Sequence, residues 1–303
     1  MMKILVLGGS LFLGKCFVKM VKDEMEITVF NRGNQKLPWE NVNQLVGDRH
    51  AAGDLEQLKN YDFDAVVDFC AYEKGDIEAV FQVLGGNLKQ YIFVSTCDVY
   101  ERGKGCYLDE TAGFEYGRFP GEAGAYIAGK VALEKELVVQ AKKHNVAFTS
   151  VRPAFIYGPD NYAPREGIYF HWIENAGQII HPEDATGEFQ MVYVEDVAKA
   201  ISLMIQNANS YNQAYNLAPM ETVTYESFAE ALCECFPNSF DKIKVSVETV
   251  LQKNIPLPFP LTREESNWYD GQKVLSLISE YTSLIDGLKA EVKLLDRDSA
   301  NVV

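Results

Sequence analysis

The chain has 303 residues, of which 47% are hydrophobic and 23% charged, and its formal net charge at pH 7 is −15. These fractions are those of a globular protein with a sizeable core, and the excess of acid argues against nucleic-acid binding, which requires a basic face. No apolar run has the roughly 18 residues of a membrane span. Since the N-terminus also lacks the charged leader and cleavage site of an export signal, we expect a cytoplasmic protein without a membrane segment.

The cysteines and histidines give no sign of a metal site. The chain has six cysteines and four histidines. The paired cysteines of a zinc site are absent from the sequence, and no two histidines stand at the spacing of metal ligands. We therefore expect reduced thiols and no metal.

The beginning of the chain has the pattern of a strand, a glycine turn and a helix. Lys3–Leu7 is almost wholly apolar, which is typical of a strand buried on both faces of a parallel sheet. Such a turn lets the backbone approach a pyrophosphate, and the amides of the first helical turn point at the anion. The pattern predicts a dinucleotide cradle, although the same turn also occurs without a ligand. The predicted contacts are Gly8, Gly9, Ser10, Phe12, Leu13 and Gly14.

Strands and helices then alternate along the first half of the chain. Predicted strands cover Glu26–Asn31, Asn43–Val46, 65–69, 91–94 and 146–151, and predicted helices cover 54–59, 75–84 and 126–141. This alternation predicts an α/β fold with a doubly wound parallel sheet of the Rossmann type. In such sheets ligands bind beyond the carboxyl ends of the strands.

Polar or small residues follow several of these strands. Asn31 and Arg32 follow the second strand, where the fold places the adenosine ribose, and an arginine there favours NADP over NAD unless it is merely a surface residue. Asp48 is predicted either to accept a hydrogen bond from adenine or to cap the next helix. Cys70 and Ala71 are small enough to leave room for a cofactor.

A tyrosine and a lysine stand at helical spacing in the third predicted helix. Tyr126 and Lys130 lie on one face, a spacing that also arises by chance. A phenol has an ordinary pKa of about 10, so it acts as a base at neutral pH only when a nearby ammonium lowers that pKa. We predict that Tyr126 is the catalytic base and that Lys130 lowers its pKa and holds the cofactor ribose. Thr96 or Ser95, after the fifth strand, would position the substrate oxygen.

The alternation weakens over residues 160–186, and the chain beyond residue 219 is mostly helical in pattern. We predict a dinucleotide-binding domain formed by 1–159 and 187–219. A smaller, mostly helical C-terminal lobe, formed by 160–186 and 220–303, is predicted to bind the substrate.

An ordered set of motifs gives the chain a family resemblance. Ser-Thr-x-x-Val-Tyr, Tyr-x-x-x-Lys, Arg-Pro-x-x-x-Tyr-Gly-Pro and Val-Tyr-Val-Glu-Asp-Val follow the glycine turn in that order. With them the chain resembles an extended short-chain dehydrogenase/reductase of the NAD(P)-dependent epimerase/dehydratase family. Gly-Gly-Ser-Leu-Phe-Leu-Gly, Phe-Asn-Arg-Gly, Gly-Asp-Arg and Gly-Pro-Asp-Asn-Tyr-Ala-Pro are similar to the branch of chloroplast stem-loop-binding proteins and their bacterial relatives.

The resemblance implies hydride transfer at a hydroxyl or ketone carbon of a small-molecule substrate, a class that includes sugar nucleotides. It adds Pro153 and Phe155 to the cofactor contacts. It also implies a homodimer formed through the helices that follow Gly75 and Gly124.

Two positions depart from the family pattern. Leu11 replaces the middle glycine of the turn, where its side chain is expected to crowd the pyrophosphate. Phe189 stands where family members that act on nucleotide sugars often have an arginine for the diphosphate. Arg165 or Arg263 would have to bind the anion of such a substrate instead.

Two alternative functions stay open. One is a non-catalytic, RNA-associated nucleotide-binding protein of the same fold, and the other is a simple carbonyl reductase. Cys97-Asp98 stands where sugar 4,6-dehydratases carry Asp-Glu, which argues against that reaction.

Overall fold

A parallel sheet of seven strands lies at the centre of the computed structural model, which describes residues 1–300 apart from 52, 104, 116, 118–120 and 164. Pro164, which ends the Gly-Pro-Asp-Asn-Tyr-Ala-Pro motif, and residues 301–303 of the predicted C-terminal lobe lie outside the described residues. The strands of the described residues include those of the central sheet and those of smaller two-stranded pairs. In chain order they are β1 (Lys3–Leu7), β2 (Glu26–Asn31), β3 (Asn43–Val46), β4 (Ala65–Asp68), β5 (Gln90–Val94), β6 (Tyr107–Leu108), β7 (Ala147–Pro153), β8 (Phe155–Tyr157), β9 (Gln178–Pro182), β10 (Met191–Tyr193), β11 (Gln213–Leu217), β12 (Asp241–Val245) and β13 (Trp268–Tyr269).

The central sheet has the strand order β11-β7-β5-β4-β1-β2-β3, and every pairing in it is parallel. The chain therefore builds outward from β1 in one direction and then returns to build outward through β4 in the other. The carboxyl ends of β1 and β4 flank this switch point, which is where doubly wound sheets bind ligands. The predicted fold class is confirmed.

Helices cover both faces of the sheet. In chain order they are α1 (Phe12–Val21), α2 (Asp76–Leu84), α3 (Gly121–His144), α4 (Glu166–Ala176), α5 (Val194–Met204), α6 (Tyr225–Cys235), α7 (Val247–Lys253), α8 (Leu275–Ile278) and α9 (Leu284–Ala300). α1 and α5 pack together on one face, and α2 and α3 pack on the other, so that each face has its own apolar core. Because helices cover both faces of the sheet, side chains on both sides of the central strands are buried, and the sequences of these strands are almost continuously apolar.

Some element bounds differ from those predicted. The segment after β3 forms a 3₁₀-helix at Leu55–Asn60 rather than an α-helix. α3 begins at Gly121, ahead of Tyr126, so that Tyr126 lies inside the helix and not at its start.

The predicted C-terminal lobe contains strands as well as helices. β9 pairs in parallel with β12, and this pairing joins the two segments, 160–186 and 220–303, that were assigned to the lobe. β12 was missed because its lysines interrupt the apolar pattern and its partner lies far away in the sequence. The division into two domains stays a prediction.

All six cysteines are free thiols. Within the described ranges, no three His, Cys, Asp or Glu side chains cluster as metal ligands would. The helices of the same ranges include none that is long and apolar enough to cross a bilayer.

The glycine turn after β1 fixes how closely α1 approaches the sheet. Gly8 and Gly9 adopt φ angles of 100° and 76°, a region in which other residues are strained. A Cβ added to Gly14 would lie 2.9 Å from both the Cα and the N of Gly9. The first turn of α1 therefore rests directly on the backbone of the glycine turn.

This contact predicts that Gly14→Ala lowers the free energy of unfolding by about 1–3 kcal/mol, because the added methyl group overpacks rigid backbone. Urea unfolding measures the change. Gly167→Ala is the matched control: Gly167 is also helical, in α4, and its added Cβ would meet nothing within 4 Å. The control is expected to be neutral or stabilising by up to about 1 kcal/mol. Equal destabilisation by the two variants would contradict the close contact between turn and helix.

Candidate functional site

A cleft of about 630 Å³ opens at the carboxyl edge of the central sheet. Residues at or just after the ends of β1 to β5 line it, as the switch point of the sheet predicts. The volume lies within the range of about 300–1,000 Å³ that is usual for small-molecule sites. We call this the nucleotide cleft.

Most of the predicted site residues line the nucleotide cleft. They are Gly8, Gly9, Ser10, Phe12, Leu13, Gly14, Asn31, Arg32, Asp48, Cys70, Ser95, Thr96, Tyr126, Lys130 and Pro153. Ala71 does not line it, because this residue is fully buried and presents its carbonyl to Lys130. Phe155 does not line it either, and lies in a second, smaller cavity.

The N-terminus of α1 offers backbone amides to the cleft. No side chain caps this helix end, and its first turn contains no acidic residue. Those amides are therefore open to an anion, which the helix dipole also favours. Leu11 precedes the helix with an extended backbone, and its side chain is 50% exposed. It lines the cleft and narrows it without closing it.

Asn31 and Arg32, which follow β2, differ in whether other residues of the protein already bind their side chains. The Asn31 amide accepts hydrogen bonds from the backbone of Gly33 at 2.9 Å and from Gln44 Nε2 at 3.0 Å, so it shapes the turn. Arg32 is exposed and lines the cleft, and no side chain in the described part of the chain pairs with its guanidinium. Arg32 is thus available to a ligand.

Asp48, after β3, does not cap the following helix. Its Oδ1 accepts from the backbone N–H of His50 at 2.9 Å, and the backbone N–H of Asp48 donates to Asp54 Oδ2 at 2.8 Å. The capping alternative is therefore wrong. Asp48 instead stabilises a local turn at the edge of the cleft.

Arg49 lines the cleft and was missed by the sequence prediction. Its guanidinium forms a two-pronged ion pair with Asp68 at 3.0 and 3.1 Å, and Tyr91 donates to the same carboxylate at 2.5 Å. Arg49 also donates to the carbonyl of Asp76 at 2.8 Å. The pair ties the loop after β3 to the end of β4. In the sequence, the Gly-Asp-Arg motif is the feature that could have drawn attention to Arg49.

Lys130 lies beneath the cleft with only 2% of its surface exposed. Its Nζ donates to the carbonyls of Ala71 at 2.9 Å and Val94 at 2.8 Å, which follow or end β4 and β5. Burial lowers its pKa to about 8. The ammonium has three N–H donors, so one remains for a bound ligand.

The pKa of Tyr126 shifts in the direction opposite to the one predicted. Burial and the nearby Asp98 raise this pKa to about 12, while the charge of Arg165 and the Thr96 hydroxyl act to lower it. Lys130 does not offset the rise because its ammonium is directed at backbone carbonyls and lies 5.8 Å from the centre of the Tyr126 ring. In the protein alone, Tyr126 is therefore a neutral phenol at neutral pH.

The hydroxyls after β5 differ in their partners. Thr96 Oγ1 accepts from the backbone N–H of Asp98 at 3.2 Å. Ser95 Oγ is buried and has no hydrogen-bond partner among the described residues. An unpaired buried hydroxyl in a cleft wall is what a site shows when its partner is a ligand.

A second cavity of about 120 Å³ lies on the other side of Tyr126 and Thr96. It shares both of these residues with the nucleotide cleft, together with Pro153, Ala154 and Arg165. We call it the inner cavity. A molecule held there would adjoin the Tyr126 hydroxyl on one side and a ligand of the cleft on the other.

Comparison with protein families and curated proteins finds similar sequences. A model of the NAD dependent epimerase/dehydratase family matches residues 77–218. The chain is 29% identical over 246 residues, 76% of its length, to a chloroplast stem-loop binding protein of 41 kDa from Arabidopsis thaliana. It spans 62% of that protein and 48% of a UDP-D-apiose/UDP-D-xylose synthase from Oryza sativa, to which it is 25% identical.

Solved structures match nearly the whole chain. A UDP-N-acetylglucosamine 4-epimerase from Methanobrevibacter ruminantium is 21% identical with a TM-score of 0.79, over 98% of this chain and 99% of its own. A UDP-glucuronic acid 4-epimerase from Bacillus cereus, solved with UDP-glucuronic acid and NAD, is 17% identical with a TM-score of 0.76 over the same shares. At these identities the match shows the fold. Together the comparisons confirm the predicted resemblance to the NAD-dependent epimerase/dehydratase family.

Proposed function

We propose that the chain is an NAD(P)-dependent enzyme of the epimerase/dehydratase type, acting at a hydroxyl or ketone carbon of a small molecule. One observation carries the proposal: Tyr126 and Thr96 form the wall between the nucleotide cleft and the inner cavity. A substrate oxygen in the inner cavity can meet both hydroxyls, and the carbon that bears it can face the cleft. The UDP-sugars named for the relatives make sugar nucleotides one candidate class of substrate.

The cleft has the features that a dinucleotide needs. The uncapped amides of α1 suit a pyrophosphate, and Gly8, Gly9 and Gly14 line the cradle without side chains of their own. The buried Ser95 hydroxyl and the third N–H of Lys130 remain for polar groups of the bound molecule. When bound, the cofactor supplies the acceptor and donor of hydride.

Tyr126 would hold and move the proton at the substrate oxygen. With a pKa of about 12 it is protonated at neutral pH and can donate to a carbonyl oxygen, which suits the reductive direction. In the oxidative direction it must first lose this proton, after which it can accept one from a substrate hydroxyl. Thr96 would orient the same oxygen, and Lys130 would hold a ribose hydroxyl and fix the helix that carries Tyr126.

Tyr126→Phe is expected to lower turnover at least about 100-fold, because it removes the only proton that this side chain can transfer. Nucleotide affinity should change little. Turnover is measured in a screen of ketones and sugar nucleotides, by chromatography of the products for epimerisation or dehydration and by absorbance of reduced nicotinamide for net oxidation or reduction. Tyr162→Phe is the control, since it also removes a phenol hydroxyl from the cleft, but from a residue that is 68% exposed. Retention of most turnover by Tyr126→Phe would rule out the assigned role.

Arg32→Ala tests the preference for NADP. A guanidinium paired with a phosphate is worth about 1.5–3 kcal/mol, so the variant should bind NADPH roughly 10- to 100-fold more weakly. The affinity for NADH serves as the internal control and should not change. Fluorescence titration measures both. If the wild-type protein binds the two nucleotides equally, Arg32 does not read the 2′-phosphate.

Nucleotide affinity should depend on the protonation of Lys130. Because burial lowers its pKa to about 8, the ammonium is present below pH 8 and is lost above it in the free protein. An anionic ligand favours the charged form, so the Kd for NADPH should rise up to about tenfold between pH 8 and pH 9. Lys130→Met should bind weakly at every pH, with a flat profile over this range. Identical profiles for the two proteins would assign the pH dependence to another group.

A non-catalytic, RNA-associated nucleotide-binding role is the second candidate. It is favoured by the similarity to the stem-loop binding protein of chloroplasts and opposed by the net charge of −15. Titration with NADPH and NADH, combined with the turnover screen, separates the two, because nucleotide binding alone fits both roles and turnover fits only the enzyme. Absence of binding of either nucleotide at millimolar concentration would replace the enzyme proposal with the non-catalytic one. A carbonyl reductase would differ from an epimerase in consuming reduced cofactor during turnover.

A further inference from the structure

We propose that Tyr72 is a positioning residue for the proposed reaction, because its ring keeps the Lys130 ammonium in the charged form that a bound nucleotide requires. This inference deepens the proposed function and rests on it for the role of Lys130. Three observations carry it: the place of Tyr72 in the cleft wall, the aromatic rings around the ammonium, and the absence of an ion-pair partner for Lys130 among the described residues.

Tyr72 lies in the wall of the nucleotide cleft, a few residues after β4. Its backbone N–H donates to Oδ2 of Asp76, the first residue of α2, at 2.8 Å. Its carbonyl meets α3 at Gly129, where an added Cβ would lie 2.4 Å from the carbonyl oxygen. The backbone of Tyr72 is thus held from two sides, by α2 and by α3, and these contacts fix where its ring stands.

Aromatic rings surround the ammonium of Lys130. Its Nζ lies 4.7 Å from the centre of the Tyr72 ring, 4.8 Å from that of Phe93 and 5.8 Å from that of Tyr126. All three distances fall within the roughly 6 Å over which the face of a ring attracts a cation. Phe93 is fully buried, so Tyr72 is the ring beside Tyr126 that adjoins both the ammonium and a bound ligand.

The charged groups near Lys130 already have other partners. These groups are Asp68 at the end of β4, Arg49 in the loop after β3, and Glu134 in α3. Arg49 binds Asp68 at 3.0 and 3.1 Å, and Arg152 binds Glu134 at 2.7 Å. In the described part of the chain, no carboxylate forms an ion pair with Lys130 itself. Its charge therefore depends on other contacts.

The remaining titratable groups around Lys130 are neutral at pH 8. Burial raises the pKa of the Cys70 thiol and that of the Tyr126 phenol to about 12, and it raises the pKa of Tyr72 as well. The two backbone carbonyls and the three rings are therefore the contacts that replace the water which the ammonium loses on burial.

Loss of the Tyr72 ring is expected to lower the pKa of Lys130 below its value of about 8. A contact between a cation and a ring corresponds to about 0.4 pKa units at an exposed site and about 1.5 at a desolvated one. A fall of about one unit would leave Lys130 mostly neutral at about pH 7.5. Tyr72 thus widens the pH range in which Lys130 can contact a negatively charged nucleotide.

Isotope-edited NMR of the lysine side chains in the full-length protein measures this pKa without any ligand. The Lys130 signal is identified by its absence from Lys130→Met. Tyr72→Leu removes the ring but keeps an apolar side chain beside the ammonium, so the pKa of Lys130 should fall by about 0.4–1.5 units. Tyr72→Phe is the matched control. It keeps the ring and removes only the hydroxyl, so the pKa should stay at the wild-type value.

The sign of the change separates attraction by the ring from simple burial. If the ring only kept water away, Tyr72→Leu would admit water and raise the pKa of Lys130. A rise, no change, or an equal fall in Tyr72→Phe would each overturn the proposal. Tyr72→Trp introduces the ring that attracts cations most strongly and should keep the pKa at or above the wild-type value. A fall in this variant would contradict the proposal even if Tyr72→Leu does not fold.

Fluorescence titration with NADPH connects the measurement to the proposed function. The pH at which the Kd begins to rise should fall in Tyr72→Leu by as much as the pKa of Lys130 falls, and the profile of Tyr72→Phe should match that of the wild-type protein. A lowered pKa with an unchanged Kd profile would overturn the positioning role. Failure of the wild-type protein to bind NADPH would overturn the proposed function, whereas the NMR titration needs no nucleotide. The two failures are therefore distinguishable.

Discussion

The buried ammonium of Lys130 is the constraint on which the geometry of the site depends. A charged group in the interior is stable only when hydrogen bonds replace its water, and here the carbonyls of Ala71 and Val94 do so. These carbonyls lie at the carboxyl ends of two neighbouring strands, so the lysine ties α3 to the edge where ligands bind. Tyr126 stands on the same helical face and is therefore fixed at the wall between the two cavities.

A second buried network holds α3 from below. Arg152 binds Glu134 of α3 at 2.7 Å and donates to the Tyr100 hydroxyl at 2.8 Å, which in turn donates to Asn216 at 2.6 Å. Arg152 belongs to the Arg-Pro motif and Tyr100 to the Ser-Thr-x-x-Val-Tyr motif. These motif residues support the site without lining either cavity. Burying such an ion pair adds little net stability, and its contribution is to fix one arrangement of helix and sheet.

The sequence was sufficient for features that depend on local pattern. β1, β2 and β3 have the predicted bounds, because apolar runs between turn residues define strands that are buried in a parallel sheet. Ordered motifs placed Tyr126 and Lys130 in one cleft. The pKa of Tyr126 was not predictable, because it depends on burial of the phenol and on the proximity of Asp98, which the fold brings near it. The sequence analysis also did not predict the β9–β12 pairing or the ion pair of Arg49 with Asp68, because each joins segments that are distant in the sequence.

The segment after β8 shows how buried carboxyl groups shape the boundary between the two cavities. Glu166 is fully buried and accepts from the backbone of Gly158 at 3.1 Å and from Asn161 at 2.7 Å, which folds the segment that presents Arg165. Burial and the proximity of Glu166 raise the pKa of Glu291, in α9, and burial raises the pKa of Glu166 as well. These shifts favour a proton on the pair, which reduces the repulsion between the two carboxyl groups. The C-terminal helix thus brings a second carboxyl group close to the segment that carries Arg165, a guanidinium with no carboxylate partner among the described residues.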